Sequence, residues 1–397
     1  MAIQQLTKPA LRPASLSERA LTASAMAAAN AKAVDRDSRF PHEAMAEVRA
    51  QRLLGILVPK DLGGEGASIA EAAEGCYRLG RGGASTAMIY AMHLVKLASV
   101  VNHGRGNSWQ EGLMRRIASE QLLLASSTTE GNAGGNVRAS EAPIVREGSR
   151  IGLDRNATCV SYGAEADGIV TTARRTPDAA ASDQVLVVFL KSDYTLTPTV
   201  TWDTLGMRGT ASVGYRVQAS GVADQILGEP YEYIHVRSMV PCAHILWSSA
   251  WAGVAAAAVE RARQFVRNVA RKTEGQLPPG AAHLTRAATT LRSLRALISA
   301  AAQRYDMAGD DRAVFQSLEF QTAMALLKVD ASELAVSTVL DATKAAGLEG
   351  YRNDSELSLS RHVRDILSSR IMIHNDRILA NVGAATMMLP TPGSIAG

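Results

Sequence analysis

Apolar residues recur at three- and four-residue steps over long stretches at both ends of the chain, and this spacing predicts amphipathic helices. In the N-terminal part, helix starts are indicated at Ser15 or Ser17, at Pro41-His42-Glu43 and at Ser68. The stretch LLGILVPKDLGGEGAS (53–68) interrupts the repeat with one proline and several glycines. It predicts a loop between two helices.

The middle of the chain has a different pattern. Short runs such as GIVTTAR, DQVLVVFL and YRVQASGV are rich in β-branched residues and are separated by Gly, Asn, Asp and Pro. They predict a small, mostly antiparallel β domain, either a barrel or two packed sheets. Beyond residue 236 the helical spacing returns in four long segments with short connections, which predicts an antiparallel bundle.

These patterns predict an α+β multi-domain fold. We expect an N-terminal helical domain (1–123), a central β-barrel-like domain (124–235) and a C-terminal four-helix bundle (236–397).

Composition excludes several classes of protein. The 397 residues carry a net charge of only +4 with no long run of like charges, so we expect no nucleic-acid surface. Cys76, Cys159 and Cys242 lie far apart, which argues against a disulfide framework and a zinc site and favours a reducing compartment. The sequence has no apolar run near 18 residues and no secretory signal at its start. We therefore expect a cytoplasmic protein without a membrane span.

One late segment, SRIMIHNDR (369–377), attracts attention because apolar residues run directly into four hydrogen-bonding ones. Asn and Asp commonly turn the chain at a helix end, which is one interpretation of this cluster. The other interpretation is a group of catalytic side chains at the mouth of a pocket. The pattern alone does not choose between them.

Two longer motifs connect this order of domains with a known protein family. TWDTLGMRGTASVGYRVQASGV (201–222) resembles the W-x-x-x-G-M-R-x-T-x-S stretch of acyl-CoA dehydrogenases. ALLKVDASELAVSTVLDATKAAGLEGYRND (325–354) is similar to their A-x-x-K helix and the G-G-x-G-Y loop after it. LVPKDLGGEG, SSTTEGNAGGN and ARKTEG resemble further family motifs in the same order along the chain. The resemblance covers nearly the whole chain and implies the family's three-domain fold.

The resemblance also implies a flavin cofactor, FAD, or alternatively FMN or exchangeable reduced flavin. Thr128 and Thr129 correspond to the family's flavin-contacting Thr, and Ser161 to a hydroxyl residue near the reactive edge. Arg271 corresponds to an Arg that binds the FAD diphosphate, a group that a guanidinium fits well. The loop containing Gly347 and Gly350 lies beside the flavin phosphates in the family. Arg208 is expected to organise a turn.

The sequence departs from the family at the catalytic base. Counting from Arg364-Asp365, the position of the usual Glu is Ile373, and an alternative family position is Ala243, beside His244. The Ser that helps hold the CoA arm is missing from Ala133-Gly134-Gly135-Asn136, and a family Trp is Cys159. A related branch of monooxygenases lacks the Glu and uses a bundle His. His374, Asp376 and Asn375 are therefore the candidate catalytic residues, with His374 able to titrate near neutral pH.

Three functions remain open. The first is a flavin-dependent oxidoreductase that oxidises an acyl thioester, on CoA or a carrier protein, with a displaced base. The second is a monooxygenase that uses reduced flavin to oxygenate a small organic substrate. The third is a non-catalytic flavin-binding or interaction protein. The expected partners are a small acyl or aromatic substrate, an electron-transfer flavoprotein or flavin reductase, and further copies of the chain in a dimer or tetramer.

Overall fold

The computed structural model describes residues 14–130 and 138–391. Its N-terminal part consists of five helices, whose bounds are α1 Leu16–Arg36, α2 His42–Ala50, α3 Ile69–Gly82, α4 Ala84–His103 and α5 Ser108–Glu120. Ser15 and Ser68 each accept a hydrogen bond from the first turn of their helix, as the sequence predicted. The helix start at Pro41-His42 is also confirmed.

Seven strands within the described residues form the middle of the chain. They are β1 Leu124–Ser127, β2 Val145–Glu147, β3 Arg150–Val160, β4 Gly168–Arg174, β5 Gln184–Leu190, β6 Tyr194–Val200 and β7 Val213–Val222. One sheet has the order β1-β4-β5, with β1 and β4 parallel, and the other is antiparallel with the order β2-β3-β7-β6.

The mostly antiparallel β domain is confirmed, but its predicted barrel-like shape is wrong. The strands of each sheet pair only with strands of the same sheet, and the sheets do not close into a barrel. The burial of their strands explains this. Strand β4 is covered along nearly its whole length, whereas β3 alternates between buried and exposed residues. Such strands suit two separate sheets, one inside the molecule and one with a face in water.

Helices return in the C-terminal part. Their bounds are α6 Tyr231–Ile234, α7 Val240–Lys272, α8 Ala281–Ala308, α9 Arg312–Gln316, α10 Leu318–Tyr351, α11 Ser360–Ile371 and α12 Asn375–Met388. A π-helical turn, His235–Met239, joins α6 to α7 without a break. Helices α7, α8, α10 and α11 pack together as the predicted bundle.

Glycine residues allow close contact between helices α3 and α7. A Cβ added at Gly80 would lie 2.3 Å from the carbonyl oxygen of Ala250, and one added at Gly253 would lie 2.2 Å from that of Tyr77. The first helical domain is thereby pressed directly against the bundle.

A second contact joins all three parts of the chain, and we call residues Asp35, Leu205–Arg208 and Arg364-Asp365 the interdomain clamp. Asp365 accepts a hydrogen bond from the Met207 N–H at 2.7 Å. The Arg364 guanidinium binds the Asp35 carboxylate and, at 2.9 Å, the Leu205 carbonyl. Arg208 donates to the Asp35 carbonyl at 2.8 Å, which confirms its expected role in organising a turn.

Two of the described helices, Ala84–His103 and the continuous Tyr231–Lys272, are long and apolar enough to cross a membrane by length and composition. In both, 89% of the most apolar window is buried inside the protein. Core helices of soluble proteins pass the same test, so the absence of a membrane span stays a prediction.

Replacing Gly206 with Ala tests the clamp. A Cβ there would lie 2.2 Å from the Arg364 carbonyl oxygen, which belongs to the backbone of the packed helix α11. We expect Gly206→Ala to lower the free energy of unfolding by about 2 kcal/mol or more, because overpacking forces backbone shifts. Urea titration followed by circular dichroism measures this. Gly228, whose added Cβ would meet nothing within 4 Å, provides the control variant Gly228→Ala. Equal midpoints for the two variants would contradict the close contact.

Candidate active site

A cavity of about 260 Å³ lies where the β domain meets α4, α7 and the turn between α11 and α12. Hydroxyl and thiol side chains line it from the strands, and imidazole, ammonium and apolar side chains line it from the helices. A wider depression of about 410 Å³ beside Tyr77 and Arg295 opens to the surface between α3, α7 and α8. We take the cavity of about 260 Å³ as the candidate site because it combines apolar walls with a few converging polar groups.

Ser161, on the strand side, belongs to a series of hydrogen-bonded hydroxyl groups. Its Oγ lies 2.8 Å from Ser212 Oγ, which lies 2.8 Å from Thr210 Oγ1. Thr210 in turn donates to the Met207 carbonyl at 2.8 Å. Since each hydroxyl has one hydrogen, Ser212 donates to Thr210 and Ser161 donates to Ser212. Ser161 Oγ therefore acts as an acceptor toward its other neighbours at the cavity, which include the Cys159 thiol.

His244 is the corresponding group on helix α7. Its Nδ1 lies 2.8 Å from the Met324 carbonyl, which only accepts, so Nδ1 carries the hydrogen. In the neutral ring Nε2 is then the acceptor. Burial, together with a smaller effect of the nearby charge of Lys328, lowers the pKa of His244 to about 4. The imidazole is thus neutral at physiological pH.

Three buried polar atoms at the cavity have no hydrogen-bond partner among the described residues. They belong to Tyr231 (Oη), His235 (Nδ1) and Trp247 (Nε1). A buried polar group without a partner is costly. Burial also lowers the pKa of His235 to about 3. These atoms indicate that a ligand with polar groups belongs in the cavity.

Lys96 lies in the cavity wall on α4 and is only 3% exposed. Its Nζ contacts Met239 Sδ at 3.3 Å, which is a weak acceptor. Burial lowers the pKa of Lys96 to about 7.

The segment HND forms the turn between α11 and α12. Asn375 points inward, where its Oδ1 accepts a hydrogen bond from Lys328 Nζ at 2.6 Å and its Nδ2 donates to Ser332 at 2.9 Å. The side chains of His374 and Asp376 are 56% and 86% exposed, and His374 Nδ1 lies 3.5 Å from Asp376 Oδ2. Neither lines the cavity, whereas Met372 and Ile373 do. Their proposed catalytic role stays a prediction.

Ile373 has the unusual backbone angle φ of +52°, which a β-branched residue rarely adopts. Its carbonyl accepts a hydrogen bond from Lys328 Nζ at 2.7 Å. Lys328 therefore holds both sides of a strained turn, and the turn places two apolar side chains in the cavity wall.

Comparison with known proteins fits this architecture. Residues 18–121 match the family model described as acyl-CoA dehydrogenase, N-terminal domain, and residues 243–388 match that of the C-terminal domain. The chain belongs to the acyl-CoA dehydrogenase family. Its fold and its membership of a group of flavin-dependent oxidoreductases, both predicted from motifs, are confirmed.

Relatives within this family differ in activity. Cyclohex-1-ene-1-carbonyl-CoA dehydrogenase of Geobacter metallireducens is 25% identical over 362 residues, covering 90% of this chain and 92% of the relative. Dibenzothiophene monooxygenase of Rhodococcus erythropolis is 24% identical over 352 residues, covering 86% and 81%.

Solved structures share the fold. FMN-bound TdsC from Paenibacillus sp. A11-2 superposes with a TM-score of 0.81 at 18% identity, over 96% of this chain and all of that one. Methanesulfinate monooxygenase MsuC from Pseudomonas fluorescens gives a TM-score of 0.81 at 19% identity, over 96% and 99%.

The residues of the cavity fit the isoalloxazine ring of a flavin, the cofactor that the family resemblance implies. A flat heterocycle with alternating donors and acceptors needs hydroxyl partners on one side, and Thr128, Thr129 and Ser161 line the cavity together. The acceptor on Ser161 suits an N–H of a reduced ring, and the unpartnered Tyr231 and Trp247 groups are available as donors. These three predicted cofactor residues are thus brought together by the fold.

The other predicted cofactor residues lie elsewhere. Arg271 is exposed in the last turn of α7. Gly347 interrupts α10 with φ of +55°, and the Gly350 carbonyl accepts a hydrogen bond from Leu359 N–H at 2.7 Å. Their proposed roles are not tested by this geometry. The loop Ala133–Asn136 lies outside the described residues.

Sequence reasoning did not select Lys96, His235 or His244 as site residues. Lys96 was detectable in principle, because it is the only Asp, Glu, Lys or Arg in the 20 residues of α4. His244 was noted only as the neighbour of Ala243, and nothing in the local pattern indicates His235. These side chains meet only because α4, α7 and the π-helical turn pack together.

Buried histidines make stability dependent on pH. Burial lowers the pKa values of His93, His235 and His244 to about 4, 3 and 4, against 6.5 for an exposed ring. The unfolded chain therefore binds protons that the folded chain does not. The resulting stability is fully present above pH 6.5 and is lost as pH falls through 4. In urea unfolding between pH 7 and 5, these three histidines should together contribute up to about 4 kcal/mol per pH unit to the slope of stability against pH.

The variants His235→Gln and His374→Gln separate this effect from general acid sensitivity. The first removes one buried titrating group and should flatten the slope by about 1.4 kcal/mol per pH unit. The second removes an exposed histidine and should leave the slope unchanged. Identical slopes for both variants would refute the assignment.

Replacing Lys328 with Met tests the strained turn. The Ile373 carbonyl and the Asn375 side chain would lose their donor inside the protein, so we expect a loss of about 2 kcal/mol in stability. Hydrogen exchange across residues 372–376 should accelerate. Lys344→Met is the matched control, because Lys344 lies on the same helix with its side chain 58% exposed. Unchanged exchange in Lys328→Met would show that Lys328 does not hold the turn.

Proposed function

We propose that the protein is a monooxygenase that uses reduced flavin to oxygenate a small organic substrate. The observation that carries this proposal is the set of ionisable groups lining the cavity, which are Lys96, Cys159, Tyr231, His235 and His244. All 38 acidic residues of the chain lie within the described ranges, and none of them lines the cavity. The family's carboxylate base has no equivalent at this position.

Buried carboxylates elsewhere are held by other partners. Glu130 lies 3.6 Å from the Arg155 guanidinium and accepts a hydrogen bond from Glu141 N–H at 2.6 Å. Asp365 belongs to the interdomain clamp. Burial raises the pKa of Asp365 to about 6, but its Oδ1 is engaged with the Met207 N–H. Neither side chain is free to take an α proton from a substrate in the cavity.

The cavity residues suit oxygenation for a different reason. Reduced flavin supplies two electrons to dioxygen, so that one oxygen atom enters the substrate and the other leaves as water. The apolar wall formed by Val95, Met372 and Ile373 limits the entry of bulk water. His244 Nε2 offers a neutral acceptor that receives a proton from the substrate or directs a hydroxyl group.

Acyl thioester dehydrogenation is the second candidate. It is supported by the likeness to the Geobacter metallireducens dehydrogenase over 90% of this chain and by family membership. In that case the α proton would pass to His244 or to Lys96. His244, with a pKa of about 4, is the weaker base of the two. Lys96, with a pKa of about 7, would be the better proton acceptor.

We further propose that a separate flavin reductase, or an electron-transfer flavoprotein for the second candidate, exchanges electrons with the protein. We also propose self-association through the C-terminal helices. Large apolar side chains are exposed there, with Leu348 at 72%, Tyr351 at 76%, Ile371 at 67% and Met387 at 85%. Such a concentration of exposed apolar groups is typical of an interface.

The two activities are distinguished by a pair of assays. With FMN or FAD, a flavin reductase and NADH, a monooxygenase consumes oxygen and incorporates labelled oxygen into a substrate from an aromatic and sulfur-compound panel. A dehydrogenase instead bleaches its oxidised flavin anaerobically with an acyl-CoA. Bleaching without any oxygen incorporation would reject the monooxygenase proposal.

The variants His244→Gln and His374→Gln locate the chemistry within the protein. We expect His244→Gln to lower turnover of the active substrate by about 100-fold, the lower range for loss of an acid–base group. His374→Gln should change turnover less than twofold because its side chain lies outside the cavity wall. Product formation in single-turnover assays measures both. The reverse ranking would return the catalytic role to the HND turn.

A further inference from the structure

Lys96 differs from every other polar group of the cavity. It is 3% exposed, and its Nζ has only Met239 Sδ, at 3.3 Å, as a hydrogen-bond acceptor among the described residues. An ammonium group has three donors and needs oxygen acceptors. A buried lysine with one sulfur contact is therefore incomplete as it stands.

The groups around Lys96 do not balance its charge. His235 and His244 are neutral at pH 7 because burial lowers their pKa values to about 3 and 4. Burial raises the pKa values of Cys159 and Tyr231, so both are neutral and protonated. The charge of Arg138 acts on His235 with the same sign as Lys96. Lys96 is thus the one described lining group able to carry formal charge near neutral pH.

Apolar side chains form much of the remaining cavity wall. Val95 lies beside Lys96 on α4, and Met239, Val240 and Trp247 face the cavity from the π-helical turn and α7. Electrostatic attraction is strong in such surroundings, because little water screens it. An anion placed here would meet a cation, and the rest of the molecule would meet apolar and neutral polar side chains.

We propose that Lys96 is the substrate-recognition residue of the cavity, and that the substrate is a small organic anion with one oxyanion on a mainly apolar body. Carboxylate, sulfinate and phenolate groups share this chemistry. The inference rests on the proposed function in assigning the cavity to a substrate, and it deepens that function by naming the substrate's charge.

Binding of such an anion has a consequence that a neutral ligand lacks. In the free protein burial holds the pKa of Lys96 near 7, so at pH 8 most molecules carry the neutral amine. An oxyanion beside Nζ favours the ammonium form and raises the pKa. The complex at pH 8 therefore takes up nearly one proton from solution.

A structural role and a ligand-binding role for Lys96 predict opposite effects of the substitution Lys96→Met on stability. If Lys96 held the fold together, Lys96→Met would lower the melting temperature. If it is kept for a ligand, replacing an unpaired buried amine with an apolar side chain of similar length should maintain or raise the melting temperature. Lys272→Met, at an exposed position in the last turn of α7, is the matched control.

Isothermal titration calorimetry of the full chain, with and without excess oxidised FMN, tests the proposal. The probes are benzoate, benzenesulfinate and 4-nitrophenolate, with benzyl alcohol as the neutral comparison, each at pH 8 in two buffers of different ionisation enthalpy. We expect at least one anion to bind tenfold or more tightly than benzyl alcohol, with uptake of nearly one proton. The anion that binds best identifies the oxyanion class.

The variants complete the test. Lys96→Met should lose the preference for the anion while keeping its affinity for benzyl alcohol and its melting temperature. Lys96→Arg should keep the preference but take up no proton, because arginine is already charged. No anion preference in the wild-type protein, or the same preference in Lys96→Met, overturns the proposal. Since binding is measured without turnover, a failed oxygenation assay with intact anion binding would count against the proposed function alone.

Discussion

The geometry of the site depends on the interdomain clamp, because the cavity is a space between separate parts of the chain. The Asp365 carboxylate is buried and accepts the Met207 N–H, and Arg364 binds both the first helix and the 205–208 loop. Met207 also accepts the hydrogen bond of Thr210, which begins the hydroxyl series that ends at Ser161. The contact that fixes the β domain on the helices is therefore continuous with the polar wall of the site.

The two walls of the cavity have different physical characters. Hydroxyl groups in and just beyond strands β1 and β3 form one wall, and they hydrogen-bond to other hydroxyl groups. The helical wall contains buried imidazoles that stay neutral and one amine whose charge responds to its surroundings. A site of this kind selects ligands mainly through buried polar groups that have no hydrogen-bond partner within the protein. This explains why the unpartnered atoms of Tyr231, His235 and Trp247 are informative.

The sequence predicted much of the fold, since helix spacing, capping residues and β-branched runs are local signals. The same signals did not distinguish a barrel from two sheets, because closure depends on which strand edges meet. For the site, the motif GMRGTAS led to the clamp loop, and family resemblance led to Thr128, Thr129 and Ser161, which line the cavity. Lys96 and His244 are 148 residues apart in sequence (244 − 96), and only packing brings them to one cavity. Local pattern contains no information on such a pair.

The HND turn shows, at a single position, what the sequence pattern could not predict. Its polar letters suggested chemistry, yet the turn orients Asn375 toward Lys328 and leaves His374 and Asp376 in solvent. The apolar residues before this segment are the ones that line the cavity, because the positive φ of Ile373 directs Met372 and Ile373 into its wall. A strained β-branched residue persists only when its surroundings compensate, and Lys328 supplies two hydrogen bonds there. The position at which the family resemblance predicts a carboxylate is thus occupied by a hydrocarbon side chain fixed in place, and the polar groups that line the cavity come from other elements.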